Sequence, residues 1–123
     1  MRLVVALAVF EGIPRDFLDD PVALRATLDS AVARGGFTPF ETVVVKFTPH
    51  GVTACAVVGE SHLALHSWPE EGRLFFDVAS CGGRAGVRGA IDAILASLPE
   101  GRLAVLDERV LGDAEARAAT DAD

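Results

Sequence analysis

The period of the apolar positions changes several times along the chain, and the changes divide it into elements. Residues 3–10 (LVVALAVF) form a continuous apolar run, consistent with a central strand. Asp20 followed by Pro21 puts a side-chain cap ahead of a proline at the first helical position. Leu24, Leu28, Ala31 and Val32 then recur at helical spacing until Gly35-Gly36 stops the helix. β-Branched residues mark strands at 42–48 (TVVVKFT) and 52–58 (VTACAVV), with Pro49-His50-Gly51 between them short enough for a hairpin. Further strands at 62–68 (HLALHSW) and 74–80 (LFFDVAS) flank the turn Pro69-Glu70-Glu71-Gly72. A second helix is predicted over 86–98, with Ile91, Ile94, Leu95 and Leu98 on one face and Pro99-Glu100-Gly101 at its end. A last strand is predicted over 102–108 (RLAVLDE).

The order β-α-β-β-β-β-α-β, with tight turns between most neighbouring strands, predicts an α+β fold. It is a two-layer sandwich, a largely antiparallel sheet with both helices on one face. The order can be cut into β-α-β-β and β-β-α-β, although the halves share no sequence identity. At 123 residues the chain is one domain by length. We assign that domain to 1–112. The remaining 113–123 (DAEARAATDAD) carries four carboxylates against Arg117 and no large apolar residue, and is expected to be a mobile acidic tail.

Composition narrows the partners. A net charge of −7 argues against nucleic acid or an anionic membrane surface. No apolar run reaches the length of a membrane span. The opening MRLVVALAVF is short for a leader, lacks a small-residue cleavage pattern and runs into the charged EGIPRDFLDD. A buried strand is the better reading, and a cytoplasmic location follows by default. Cys55 and Cys81 are too few for a disulfide framework and suit a reducing compartment.

Most side chains able to do chemistry fall in one stretch. GESHLALHSWPEEG at 59–72 and FDVASCGG at 76–83 hold the hydroxyl of Ser61, the imidazoles of His62 and His66, the carboxylates of Glu70 and Glu71, and the Cys81 thiol. Each has an ordinary explanation: polar residues gather where strands end and loops begin, and a cysteine before two glycines can be a small packing residue. His50, His62 and His66 fit no standard metal-ligand spacing, so no metal is expected. Cys81 as a nucleophile with His66 as its base remains an enzymatic alternative.

The long stretch GVTACAVVGESHLALHSWPEEGRLFFDVASCG resembles the core of the bacterial-type S-adenosylmethionine decarboxylases, whose pattern is close to ESH-x-x-x-H-T-W-P-E followed by D-x-x-x-C-G. The resemblance implies a proenzyme that cuts itself between Glu60 and Ser61. The Ser61 hydroxyl attacks the Glu60 carbonyl in an N→O acyl shift, which is uphill unless the peptide is strained or the oxyanion is held. His66 matches the base that then removes the Ser61 α-proton, and Thr53 matches a hydroxyl residue assisting the step. The product is a pyruvoyl group derived from Ser61, the cofactor that takes up the electron pair left by departing CO₂. Cys81 matches the acid that protonates the product. Phe47 matches an aromatic stacking on the adenine of the sulfonium substrate, and Glu70 a carboxylate binding its ribose.

The implied substrate is S-adenosylmethionine and the implied role is spermidine synthesis, with a homodimer expected because a sheet with one uncovered face needs a cover. The first strand departs from the family pattern of a His and a Glu: Val9 stands near the carboxylate position, and Glu11 is the nearest acid. Arginine or ornithine as substrate, or a non-catalytic relative that binds a partner, are the alternatives. Ser61 and His66 are five residues apart and would point to opposite faces of an uninterrupted strand. Their shared role therefore requires Ser61 to lie in the turn before it, or a bulge between them.

Overall fold

Proline and a capping carboxylate start the main helix as the residues dictate. In a computed structural model, which describes residues 2–112, Asp20 accepts from the backbone N–H of Val22 at 2.9 Å and of Ala23 at 3.3 Å. The elements are β1 (Arg2–Glu11), α1 (Arg15–Leu18), α2 (Pro21–Arg34), β2 (Pro39–Lys46), β3 (Val52–Val58) and β4 (Ser61–Trp68). A 3-10 turn at Pro69–Glu71, β5 (Arg73–Ser80), α3 (Arg84–Ser97) and β6 (Arg102–Gly112) complete them. The strands form one antiparallel sheet in the order β2-β3-β4-β5-β1-β6.

Alternation sorts the sheet into two faces. Val4, Ala6, Ala8 and Phe10 of β1, Leu63 and Leu65 of β4, and Leu74, Phe76 and Val78 of β5 point to the helices and are buried. Leu24, Leu28, Ala31 and Val32 of α2 meet them, with Val87, Ile91 and Ile94 of α3. Each large side chain buried there contributes about 1.5–3 kcal/mol. No helix among the described residues lies over the opposite face. It carries Leu7, Val43, Val45, Val57, Trp68 and Val105, all roughly 40–56% exposed. This is why the apolar run of β1 is continuous: its two faces are both apolar, but only one is covered by the other described residues.

The α+β sandwich agrees with the sequence expectation, with differences at its edges. A short third helix, Arg15–Leu18, precedes α2 and has no apolar periodicity long enough to reveal it. β2 starts at Pro39 and ends at Lys46, so Phe47 lies beyond it: its N–H closes the turn onto Gly51 O at 2.8 Å. Leu95 is not on the buried face of α3, which runs instead through Val87, Ala90, Ile91, Ala93 and Ile94. β6 continues to Gly112. The expected acidic tail, 113–123, lies outside the described residues.

Candidate active site

The residues singled out in the sequence fall into two groupings at opposite ends of β4. At its start, Gly59 and Glu60 make a two-residue connection between Val58 and Ser61, which are register partners. Such connections normally take a positive φ within the turn to match strand twist. Neither Gly59 nor Glu60 does so, and Ser61 has φ 145°, the one positive value at a non-glycine among the described residues. Backbone strain is thus stored at the serine of the implied scissile bond.

The residues around that bond are held closely. The Glu60 carboxylate accepts from Thr38 N–H at 2.9 Å and from Thr38 Oγ1 at 3.1 Å, while Gly59 N–H donates to Thr38 O at 2.8 Å. The Thr38 amide holds the Glu60 carboxyl below its usual range. The Glu60 carbonyl accepts a hydrogen bond from Cys81 N–H at 3.1 Å. β5 ends against β4 with Ser80 opposite Ser61, which is what brings Cys81 to this point. Cys81 is exposed and lines a hollow of about 390 Å³ with Arg2, Gly82, Gly83 and Arg84.

At the far end of β4, Phe47, His50, Thr53, His66, Trp68 and Glu70 line a hollow of about 360 Å³. His66 Nδ1 lies 3.3 Å from Thr53 Oγ1, its register partner on β3. Glu70 is paired with His50. Trp68 meets Phe75 edge-on at 4.6 Å. The floor is tied down by Ser67, whose Oγ accepts from Val52 N–H at 2.9 Å and donates to Leu18 O at 2.7 Å. Asp19 accepts from Gly51 N–H at 2.8 Å and pairs with Lys46 at 3.1 Å, fixing the segment that carries Phe47. Glu11 is engaged by Arg73 at 3.1 Å and Arg102 at 3.2 Å, so the nearest acid of β1 is already neutralised.

The expectation that Ser61 and His66 meet within one chain is not met. β4 pairs without interruption from Ser61 to Trp68, so no bulge lies between them, and Ser61 is in the strand. Five steps of about 3.3 Å separate their backbones by about 16 Å. Cys81 and His66 are farther apart still along β5, which removes the Cys81–His66 nucleophile pair within a single chain. Among the described residues no group of three or more His, Cys, Asp or Glu is arranged to hold a metal.

What joins the two ends is Asp77, to which the sequence reading assigned no role. It stands opposite Ala64, whose small side chain leaves space between the flanking imidazoles. Its Oδ1 lies 3.1 Å from His62 Nε2 and its Oδ2 2.9 Å from His66 Nε2. His62 Nδ1 in turn lies 3.4 Å from Ser61 Oγ. Burial pushes the neighbouring Cys55 thiol up, and the charge of Asp77 adds to the effect. The signal for Asp77 was present: turn Pro69–Gly72 pairs Trp68 with Arg73, and counting back brings Ala64 to Asp77.

Comparison with known proteins agrees with the fold. The fold defines the class as a small α+β protein, one antiparallel six-stranded sheet with its helices on one face. The family model for S-adenosylmethionine decarboxylase matches residues 6–108, and the chain belongs to that family. An S-adenosylmethionine decarboxylase proenzyme of Persephonella marina (strain DSM 14350 / EX-H1) is 35% identical over 104 residues, 85% of this chain and 76% of the relative. That of Synechococcus sp. (strain WH7803) is 43% identical over 65 residues, so the matched part spans about half of each, 53% of this chain and 51% of the relative. The crystal structure of the adenosylmethionine decarboxylase from Aquifex aeolicus VF5 superposes with a TM-score of 0.75 at 29% identity, covering 89% of this chain and 88% of that one. No helix among the described residues is long and apolar enough to cross a membrane.

Proposed function

We propose that the chain is the proenzyme of a pyruvoyl-dependent carboxy-lyase that cuts itself between Glu60 and Ser61 and acts on S-adenosylmethionine, in the cytoplasm, for spermidine synthesis. The observation that carries the reading is the Glu60–Ser61 turn itself. The backbone is strained at Ser61, the carbonyl to be attacked is hydrogen-bonded by Cys81 N–H, and the residue before the bond is clamped to Thr38. Strain and a polarised carbonyl are each conditions that bring an N→O acyl shift within reach. The pyruvoyl group, once made from Ser61, supplies the electron sink for decarboxylation.

The remaining roles divide between the two groupings. Cys81, exposed beside the new end at Ser61, donates the proton to the product carbon. Phe47 stacks on the adenine and Glu70, oriented by His50, holds the ribose. His66 with Thr53 assists processing, and the 16 Å gap makes a second copy necessary. A homodimer closed through the uncovered, half-exposed apolar face supplies the partner subunit's His66 and Thr53 to Ser61, and covers a face that is otherwise left to water.

Two measurements test the reading. Intact mass should give two pieces for the wild type, the larger blocked at its first residue, and one uncut chain for Ser61→Ala. Competition between carboxyl-labelled S-adenosylmethionine, arginine and ornithine should then release label from the first. Arginine or ornithine is the second reading, kept because β1 departs from the family pattern: Val9 stands near the carboxylate position, and the nearest acid, Glu11, is engaged by Arg73 and Arg102. Preference for a basic amino acid would keep the pyruvoyl chemistry and discard the adenosine roles of Phe47 and Glu70. An intact wild-type chain that is folded would overturn the whole reading.

A further inference from the structure

We propose that His62, held by Asp77, is the base that activates Ser61 for the first step of self-cleavage, so that the acyl shift is completed inside one chain. This rests on the processing assigned above and names the group that the resemblance leaves unassigned. His66 is about 16 Å from Ser61 in the same chain. The imidazole beside the serine is that of His62, with Nδ1 3.4 Å from Ser61 Oγ.

The tautomer follows from the partner. A carboxylate only accepts, so Nε2 of His62 and Nε2 of His66 both donate to Asp77, at 3.1 and 2.9 Å. Nδ1 of each ring is left as an acceptor, and each faces one hydroxyl: Ser61 for His62, Thr53 for His66. The sequence hydroxyl, imidazole, carboxylate at Ser61, His62 and Asp77 reproduces the roles of a serine-hydrolase triad on a different backbone. A 3.4 Å contact is long for a hydrogen bond, as resting catalytic contacts commonly are before the reaction geometry forms.

The step balances within the chain. His62 Nδ1 takes the proton from Ser61 Oγ as the oxygen bonds to the Glu60 carbonyl carbon. The carbonyl electron pair moves onto its oxygen, which Cys81 N–H already holds at 3.1 Å. Collapse breaks the Glu60–Ser61 C–N bond, and the proton on Nδ1 passes to the departing Ser61 nitrogen. The ester and a free amine result, and His62 returns to its starting form. Asp77 touches no reacting atom and is a positioning residue.

The test follows self-cleavage in freshly translated full-length chain by gel and intact mass, with hydroxylamine added to cut any ester. His62→Ala should slow processing at least 100-fold, the lower end of general-base effects. It should give no hydroxylamine-sensitive species, and added imidazole should restore cutting. His66→Ala, acting after the ester, should accumulate a hydroxylamine-sensitive chain. Asp77→Asn should slow cutting without imidazole rescue, and His62→Gln, which keeps the volume, should match His62→Ala. Parental rates in His62→Ala would overturn the relay alone, as would a hydroxylamine-sensitive ester in that variant. A wild type that folds but never cuts would remove the processing reading as well.

Discussion

Ser67 is where the pocket floor is most exposed to a single change. Its hydroxyl accepts from Val52 N–H at 2.9 Å and donates to Leu18 O at 2.7 Å, and the residue is buried. Ser67→Ala removes the side-chain partner of both backbone groups. Each orphaned group costs about 1–3 kcal/mol, so the pair costs about 2–4 kcal/mol once partial relaxation is allowed for. That is a large share of the 5–15 kcal/mol typical of a domain. At about 3–5 °C per kcal/mol for a chain of this size, the melting temperature should fall by about 6–20 °C. The measurement belongs in a Ser61→Ala background, where the chain stays covalent, at fixed protein concentration so that association does not shift the midpoint. Ser67→Thr keeps the hydroxyl and should melt near the parent. If Ser67→Ala lies within about 0.5 kcal/mol of the parent, the two hydrogen bonds are not what ties Leu18 to β3, and the argument fails.

Four further outcomes follow from the same geometry. Cys81→Ala should still cut itself, because the carbonyl contact comes from its backbone N–H, but decarboxylation should fall sharply; a wild-type turnover rate would return Cys81 to packing. The Glu60 carboxyl is held below its ordinary value of 4.5, so its clamp stabilises the fold above the unfolded-state value and is lost as pH falls through the lower folded one. The melting difference between Ser61→Ala and Ser61→Ala with Glu60→Gln should therefore be flat from pH 8 to about 5 and vanish at more acid pH; a difference independent of pH throughout would refute the clamp. Phe47→Ala should weaken substrate binding by about 1–3 kcal/mol, the range for base stacking on an aromatic, as read by KM for S-adenosylmethionine. Val45→Glu, which places a charge on the uncovered face, should convert a dimer to a monomer in sedimentation and should leave ester formation intact while blocking its elimination.

The elements were legible because local chemistry decides them: the Asp20-Pro21 cap, the β-branched runs and the Pro69–Gly72 turn each act over a few residues. The short helix at Arg15–Leu18 was not, since one turn carries no period. Val43, Val45 and Phe47 alternate along the β-branched run predicted at 42–48, which assigns them to one face of the strand without saying which. The structure puts all three on the open side, because alternation gives two faces but not which one the helices cover. The family pattern identified Ser61, His66, Thr53 and Cys81 as a set, but it says nothing about distance. An unbroken β4 then separates that set into two halves, Ser61 with Cys81 and His66 with Thr53. Asp77 was hidden for the opposite reason. It is ordinary as an outward strand residue, and becomes informative only when the β4–β5 register sets it between His62 and His66. The carboxylate then lies within hydrogen-bond reach of one imidazole from each half, His62 beside Ser61 and His66 beside Thr53, a link that no spacing along β4 alone reveals.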